Sequence, residues 1–513
     1  MVESLDYAKL WGGLDSRFGY QEEQDSPNML FFSELKNITI DTGLIKRVNG
    51  DLALLSTGTG SKIVGISTFE VENTQYLVFN SNGKFNIFNG NDSYTTKKSG
   101  LDIFAPCTYA QFVQRIFVTN GVDEIFGYDP LTDSLVVTNF SAQQSRPMVG
   151  QFCVSFANRL WVAQGTAIYY SDLGNPTEWR NIPGSQIFGG VIDNFMGNTD
   201  TITGLFNFGA YVGIQTTTHI YMLAGTDQTN FTITTYGTTG MPSTNGTCMH
   251  NRNLYFYNNQ NTGVYFIGQL TDIGQFKISD AVTRRVYPTL LSTVDTNRLS
   301  EIYMVANIEH NQMWLYVPEF GKQDLSACYV FDFNYATPNT AFPDFIGIYP
   351  RIGSPVTCAC SYKNKVFTGT SDGQILQQDI GDTFRGNRIP FDITTPFLSL
   401  GTRSTLKRTE FIKLWMNNRI VNNFDFTIRF NRNLTKSHTK KITIAGSGNW
   451  GEDSSIWGIT SWADDSEISK LVSLGKEFYS MQFGFHGNTL VDLNQNIALR
   501  AFSLMEYQQL NDY

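Results

Sequence analysis

Charge is scarce in this chain: only 16% of its 513 residues are Asp, Glu, Lys or Arg, against about 25% in ordinary soluble domains. Disorder is thereby excluded, because unfolded segments combine high charge with few aromatics. A coiled coil or helical array is excluded too, since those are built from Ala, Glu, Lys, Leu and Arg. The six cysteines (Cys107, Cys153, Cys248, Cys328, Cys358, Cys360) contain no CxxC spacing. Cys358 and Cys360 alternate with Thr357 and Ala359, so they read as small buried residues on one side of a strand, not as a metal or redox site. The five histidines (His219, His250, His310, His438, His486) offer no HxH or HExxH spacing, so no zinc site and no other cofactor is expected. No run of roughly eighteen apolar residues occurs, so no membrane anchor is expected. The start, Met1-Val-Glu-Ser-Leu-Asp-Tyr7, lacks the basic and apolar parts of a secretory signal. A chain that folds in a reducing cytoplasm is the expectation.

Aromatics, by contrast, are abundant: 39 Phe, 24 Tyr and 8 Trp accompany 45 Gly. That mixture favours strands joined by tight turns, and a short strand–turn–strand pattern recurs. It is seen at Tyr76-Leu-Val-Phe-Asn with Lys84-Phe-Asn-Ile-Phe, and at Arg159-Leu-Trp-Val-Ala with Ala167-Ile-Tyr-Tyr. Seven copies anchor at Tyr76, Ile116, Leu160, Tyr211, Leu254, Met313 and Val366, with steps of 40, 44, 51, 43, 59 and 53 residues. Four short strands with turns need roughly 40–50 residues, the span of one propeller blade. The expected fold is therefore all-β: a β-propeller of about six to eight blades over residues 36–384. A string of β-sandwiches is the competing reading, since alternating strands fit those as well. The longer steps leave room for loops such as Pro318 to Leu325 and Asn334 to Asp344.

Composition changes near residue 385. From Arg385 to Ala445 there are twelve Lys or Arg against three Asp or Glu, a net +9, which leaves −18 for the rest of a chain of net −9. Within this stretch Glu410-Phe-Ile-Lys-Leu-Trp-Met and Phe424-Asp-Phe-Thr-Ile-Arg-Phe alternate as half-buried strands do, and Phe478 to Phe485 and Ile497 to Tyr507 alternate again. Residues 385–513 are expected to form a separate β-sandwich with a basic first half, and residues 1–35 an N-terminal arm or partial strand.

Catalytic motifs are missing. Gly58-Thr-Gly-Ser-Lys62 lacks the spacing of a phosphate loop and reads as a hairpin turn. Ser171-Asp-Leu-Gly-Asn-Pro-Thr-Glu-Trp179 resembles the Asp-box of sialidases imperfectly, and that box is a structural turn in its own family. A glycosidase would need paired carboxylates near the axis, and no spacing identifies them. No enzyme activity is expected. The alternative is a carbohydrate-binding or glycan-hydrolysing propeller.

The run Asn158-Arg-Leu-Trp-Val-Ala-Gln-Gly-Thr-Ala-Ile-Tyr-Tyr-Ser-Asp-Leu-Gly-Asn-Pro-Thr-Glu-Trp179 resembles the tail hub or nozzle proteins of short-tailed bacteriophages, also called tail tubular or phage stabilisation proteins. The likeness continues through Ile202 to Tyr211, His219-Ile-Tyr-Met-Leu, and Asn253-Leu-Tyr-Phe-Tyr with Gly263-Val-Tyr-Phe-Ile. Gly43-Leu-Ile-Lys-Arg-Val-Asn-Gly50 resembles their early turn, with Val48 where proline is usual. Trp450, Trp457 and Trp462, read as packed turn residues, and Leu504 to Tyr507 resemble their C-terminal domain. The resemblance implies a structural virion protein of the tail, assembled in the bacterial host cytoplasm, six copies of which form a ring below the portal and adaptor proteins. Such a ring extends the DNA ejection channel, retains the packaged genome and anchors tail fibres or spikes. Genomic DNA would pass its lumen without tight binding. Within the basic segment, Lys407, Arg408, Lys440 and Lys441 are the expected docking residues toward a neighbouring subunit or the adaptor. A nucleic-acid-binding role for that segment is the weaker reading beside a −18 remainder.

Overall fold

The computed structural model describes residues 3–7, 11–17, 23–24, 30–41, 43–90, 92–137, 149–180, 182, 184, 186–193, 195–196, 200–258, 262–269, 276–278, 282–336, 345–400, 403–417, 422–444, 467–487 and 495–510. Its regular structure is nearly all β. Among the described residues, seven antiparallel sheets of four strands follow one another along the chain. The first comprises Ile63–Val71, Thr74–Ser81, Lys84–Gly90 and Ser93–Ser99. The next five open with Thr108–Phe112, Phe152–Phe156, Ile202–Phe208, Thr247–His250 and Tyr303–Asn307. All seven repeat anchors, Tyr76 through Val366, fall in the second strand of their sheets. Several first-to-second-strand turns put two successive residues at positive φ, as at Glu72-Asn73 (48° and 65°), Asn251-Arg252 (47° and 65°) and Lys363-Asn364 (48° and 65°). That geometry matches the strand twist, and Asn tolerates it better than most residues do.

The seventh sheet closes the series. It takes Cys358–Tyr362, Lys365–Gly369 and Gln374–Gln378, and its fourth strand is Asp51–Ser56, from before the first sheet. Gln374 lies opposite Ser56, and Gln378 opposite Asp51. Cys358–Tyr362 in turn packs beside Ile63–Val71, so the row of sheets returns to its beginning. Gly58 to Lys62 is therefore no hairpin: it carries the chain from the seventh sheet to the first. The wide step before Met313 holds a helix, Tyr287–Thr293, and a 3-10 turn, Thr296–Glu301. Of the two expected loops, Pro318 to Leu325 joins two strands of the sixth sheet, and residues 337–344 of the other lie outside the described residues.

Polar side chains bridge neighbouring sheets. Tyr109 donates to Asn80 Oδ1 (2.8 Å), Thr108 to the Gln151 carbonyl (3.1 Å) and Asn207 to the Ser155 carbonyl (2.8 Å). Thr203 donates to the Met241 carbonyl, Ser243 to that of Ile302 (2.9 Å) and Ser371 to Asp324 (2.7 Å). Thr357 donates to the Ile63 carbonyl (2.7 Å), joining the seventh sheet to the first. Apolar packing lies between these bonds, for example Phe206 and Phe208 against Leu254 and Phe256.

Two larger sheets gather most of the remaining strands, while Trp11–Leu14 with Leu30–Phe32 and Thr383–Phe384 with Asn387–Arg388 form separate pairs. One orders Glu467–Phe478, Leu406–Asn417, Ala498–Leu510, Leu44–Arg47 and Ile38–Asp41, with Glu3–Tyr7 also on Ala498–Leu510. The other contains Asn422–Phe430, Ser437–Ile444 and Met481–His486, together with Glu23–Gln24 and Glu34–Lys36 from the N-terminal region. Their apolar faces meet: Phe483 and Phe502 have ring centroids 4.7 Å apart, and Trp11 sits between Phe32 (5.7 Å) and Phe502 (6.2 Å). This corrects the expected N-terminal boundaries. Glu3–Tyr7, Glu23–Gln24, Glu34–Lys36 and Leu44–Arg47 pair with C-terminal strands, while Trp11–Leu14 pairs with Leu30–Phe32 and also packs on Phe345–Val356 of the sixth sheet. The alternating run Phe478 to Phe485 is also two strands, since the chain leaves one sheet at Phe478 and enters the other at Met481.

Buried polar groups hold the two regions together. Arg351 donates to the carbonyls of Asn49 (2.7 Å) and Gly50 (2.6 Å) and lies over the rings of Trp314 and Phe384. Asn37 donates to the carbonyls of Ile352 (2.9 Å) and Pro390 (2.8 Å) and accepts from Ile352 N–H (2.6 Å). Val48 donates its own N–H to the Asn37 carbonyl (3.0 Å), a bond that proline, the usual residue in the resembled turn, could not make. The sheet-bridging hydroxyls are directly testable. Thr357→Val and Ser243→Ala should each cost about 1–2 kcal/mol, since each strands a buried carbonyl, while Thr435→Ala on the exposed surface should stay within about 0.5 kcal/mol. Chemical denaturation midpoints measure all three, and equal losses would refute the bridging role.

Candidate functional site

The first strands of the seven sheets begin at one end of the structure, and their starts surround a cavity of about 580 Å³. Lys62, Thr108, Gln151, Thr203, Asn245, Tyr303 and Thr357 represent all seven sheets in its wall. The lining is mostly hydroxyl, amide and aromatic. Its charged members are Lys62 and Glu301, and Glu301 is paired with Arg298 (2.6 Å). A hydrolytic glycosidase site needs two carboxyl groups flanking the bond, and this lining supplies one.

Asp200 stands beside the lining residue Thr201 and accepts its N–H (3.1 Å). Its carboxylate accepts from the hydroxyls of Thr216 (2.6 Å), Thr217 (2.6 Å) and Thr218 (2.8 Å) and lies 3.3 Å from His219 Nδ1. Burial alone would raise its pKa, but these hydrogen bonds outweigh it and bring the group down to about 2. Asp200 is therefore an ionised brace for the 216–219 turn, not a proton donor. The Asp-box-like turn is structural in the same way. Asp172 is buried, pairs with Arg180 (2.6 Å) and accepts from Gly189 N–H (2.7 Å), while Ser171 Oγ accepts from Leu160 N–H (2.9 Å).

A second cleft, about 250 Å³, lies where the Ile38–Asp41 and Leu44–Arg47 hairpin meets the sixth and seventh sheets. It brings together Asp332, Asp379, His310, Gln312 and Arg351. His310 Nε2 is 3.2 Å from Asp379, and Gln312 donates to Asp332 (3.1 Å), whose carboxyl is pushed up by burial. No sequence spacing signals this cluster, because His310, Gln312, Asp332 and Arg351 come from successive segments of the sixth sheet and Asp379 from just past the third strand of the seventh. Among the described residues no group of three or more His, Cys, Asp or Glu could hold a metal ion. The cysteines are free thiols, and burial pushes Cys358 up to about 12 and Cys153 to about 11, which leaves them protonated and unreactive at neutral pH.

The four expected docking residues divide. Lys407 is fully buried, with its ammonium on the carbonyls of Thr405 (2.8 Å) and Tyr479 (3.1 Å). It cannot present charge to a partner, and that expectation is corrected. The cause is a β-bulge between Thr409 and Phe411. Beyond it the even positions Ile412, Leu414 and Met416 are buried; before it the odd positions Lys407 and Thr409 are. Arg408 is exposed and pairs with Glu410 (2.7 Å). Lys440 and Lys441 lie exposed on Ser437–Ile444, a strand that among the described residues is hydrogen-bonded on one side only, and Lys440 Nζ reaches the Ser473 carbonyl (2.7 Å). Other members of the basic segment are tied inward: Arg388 donates to the Gly487 carbonyl (3.0 Å) and Arg429 to Gln482 (2.9 Å). Trp450, Trp457 and Trp462 lie outside the described residues. No helix among the described residues is long and apolar enough to cross a membrane.

No family model matches the chain, and no curated protein does. Solved structures are similar at low identity. A chain of the mitotic checkpoint complex is 10% identical, with a TM-score of 0.41 over 66% of this chain and 95% of that one. The extracellular domain of a hybrid two-component system from B. thetaiotaomicron is 12% identical, with a TM-score of 0.40 over 64% of this chain and 42% of that one. The computationally designed protein Ika8 is 11% identical, with a TM-score of 0.37 over 64% of this chain and 99% of its own. None is described as a phage tail protein, and at these scores they carry nothing about activity or assembly.

Lys407→Met should lower stability by about 1–3 kcal/mol, because two buried carbonyls lose their donor, whereas Lys440→Met should change it by less than about 0.5 kcal/mol. Thermal melting of the two variants separates a buried anchor from a surface charge. Asp200 carries a pH prediction. Its folded pKa lies below its unfolded value, so its stabilisation is full above about pH 4 and is lost as pH falls toward about 2. Asp200→Asn should destabilise the protein at pH 6 and flatten the fall in denaturation midpoint between pH 4 and 2; an unchanged acid limb would remove Asp200 from this role.

Proposed function

We propose that the chain is a seven-bladed β-propeller joined to a β-sandwich, and that it works as a non-enzymatic hub or nozzle subunit of a short phage tail. In this reading several copies, six by the family resemblance, form a ring beneath the portal and adaptor. The ring continues the DNA channel, retains the genome and carries fibres or spikes. The observation that supports it best is the exposed basic strand Ser437–Ile444, which among the described residues pairs on one side only, in a chain whose remainder is strongly acidic. A ring contact joins two different patches of one subunit, and opposite charges on those patches set encounter and orientation. Edge strands are also where chains add to one another, and lysines restrain such pairing until the right partner arrives. The glycan-hydrolysing alternative finds one carboxylate in the axial lining where two are needed.

Electron microscopy of assembled particles should show the chain in several copies in a closed ring; one copy or none overturns the proposal. Reversing Arg408, Lys440 and Lys441 to Glu should impair ring assembly while melting temperature holds, and normal assembly would show those charges to be merely solvated. Duplex DNA should bind weakly at physiological salt, because each phosphate held by Lys or Arg adds salt-dependent attraction that would oppose sliding. Nanomolar binding would count against a passive conduit.

A further inference from the structure

The axial cavity has a chemistry that ring formation leaves unused. At about 580 Å³ it falls in the range of small-molecule sites. Its two charges have opposite sign, and Glu301 is already met by Arg298, so no net field selects an anion or a cation. Hydrogen-bonding capacity is nevertheless left open. Tyr303 is 8% exposed and lines the cavity, and its hydroxyl donates to no described group. The Thr244 hydroxyl and the Asn245 side-chain amide, on the turn leading into the fifth sheet, also donate to nothing described. These groups are reachable from the cavity and are not sealed in the core, so an entering ligand can exchange their water for its own hydrogen bonds.

An aromatic face stands at the rim. Phe104 is 77% exposed, an unusual position for so large an apolar ring. It is not loosely placed: the N–H groups of Phe104 (2.8 Å) and Ala105 (2.7 Å) both donate to Asp102 Oδ1, and Asp102 N–H donates to Asp123 (2.8 Å). A held aromatic face beside uncharged hydroxyls and amides fits a ligand with apolar C–H faces and many hydroxyls.

We propose that this cavity binds a short neutral saccharide without cleaving it. Ring C–H groups would lie on Phe104, and sugar hydroxyls would bond to Tyr303, Thr244 and Asn245. Hydrolysis is not part of the proposal, because the lining lacks the second carboxylate. The inference does not rest on the tail reading, and either can fail alone.

The test is saturation-transfer NMR titration of the full-length chain with maltotriose, cellotriose and chitotriose, and with sialyllactose as an anionic comparator. At least one neutral probe should bind saturably, more tightly than sialyllactose, and reducing-end assays should show no cleavage. Tyr303→Phe and Phe104→Ala should each weaken that binding roughly three- to tenfold, with melting temperature unchanged for Phe104→Ala. Should Tyr303→Phe fold poorly, Thr244→Val takes its place, with the same weakening expected. The proposal is overturned if no neutral probe binds, if sialyllactose binds best, if the sugar is cleaved, or if binding is indifferent to these substitutions.

Discussion

Closure governs this structure. Each four-stranded sheet exposes an apolar face that it cannot cover alone, and covering the last requires the first. The strand Asp51–Ser56 does this by completing the seventh sheet and then leading directly into the first. The hydroxyl and amide bridges between sheets have a ready explanation within that frame. Backbone carbonyls at the starts of the inner strands would otherwise be buried at sheet junctions without partners, and a short Thr, Ser or Asn side chain reaches across where no strand can. Placement of Thr108, Thr203, Ser243 and Thr357 at comparable points in their repeats follows from that need, and it also makes the cavity lining largely uncharged, Lys62 and Glu301 excepted.

How much of this was legible in the sequence depends on distance along the chain. Alternation within a strand is local, so the seven second strands declared themselves through runs such as Leu160 to Ala163 and Leu254 to Tyr257, whose side chains are buried on both faces. The number of repeats and their spacing followed. Pairing between Glu3–Tyr7 and Ala498–Leu510 was not legible, because nothing local to either strand names a partner almost the whole chain away. Lys407 failed for a different reason. A bulge of one residue inverts the in-and-out phase of a strand, and a Lys–Arg pair looks the same on either side of it. The cluster around Asp200 was invisible because it is assembled from a turn of ordinary sequence, and that around Asp332 because strand residues far apart in the chain meet side by side in the sixth sheet.

The charge distribution acquires a meaning that net totals conceal. Much of the basic segment is occupied in holding the C-terminal sheets together through Arg388, Arg429 and Lys407, so its formal +9 overstates what a partner would meet. The charge left facing outward lies on Lys440 and Lys441 of Ser437–Ile444, on Arg432 and Lys436 before it, and on Arg403 and Arg408. Meanwhile the axial end of the seven sheets is polar and close to neutral. The protein thus separates an exposed basic strand from a cavity lined mainly by uncharged hydrogen-bonding groups.

The interleaving of the two chain ends bears on how the molecule comes into being. Asp51–Ser56 leaves the ribosome early but has no place to pair until residues 374–378 follow, roughly 320 residues later, which at about 5–20 residues per second is on the order of 16–64 seconds. Glu3–Tyr7 waits longer still, since it pairs with Ala498–Leu510, and Trp11 bonds to the carbonyl of Arg500. During that interval an unpaired, largely apolar strand is held open beside a growing row of sheets, and contacts so distant in sequence form slowly. Synthesis of this protein is therefore a race between its own last strands and any other chain that could pair with its first.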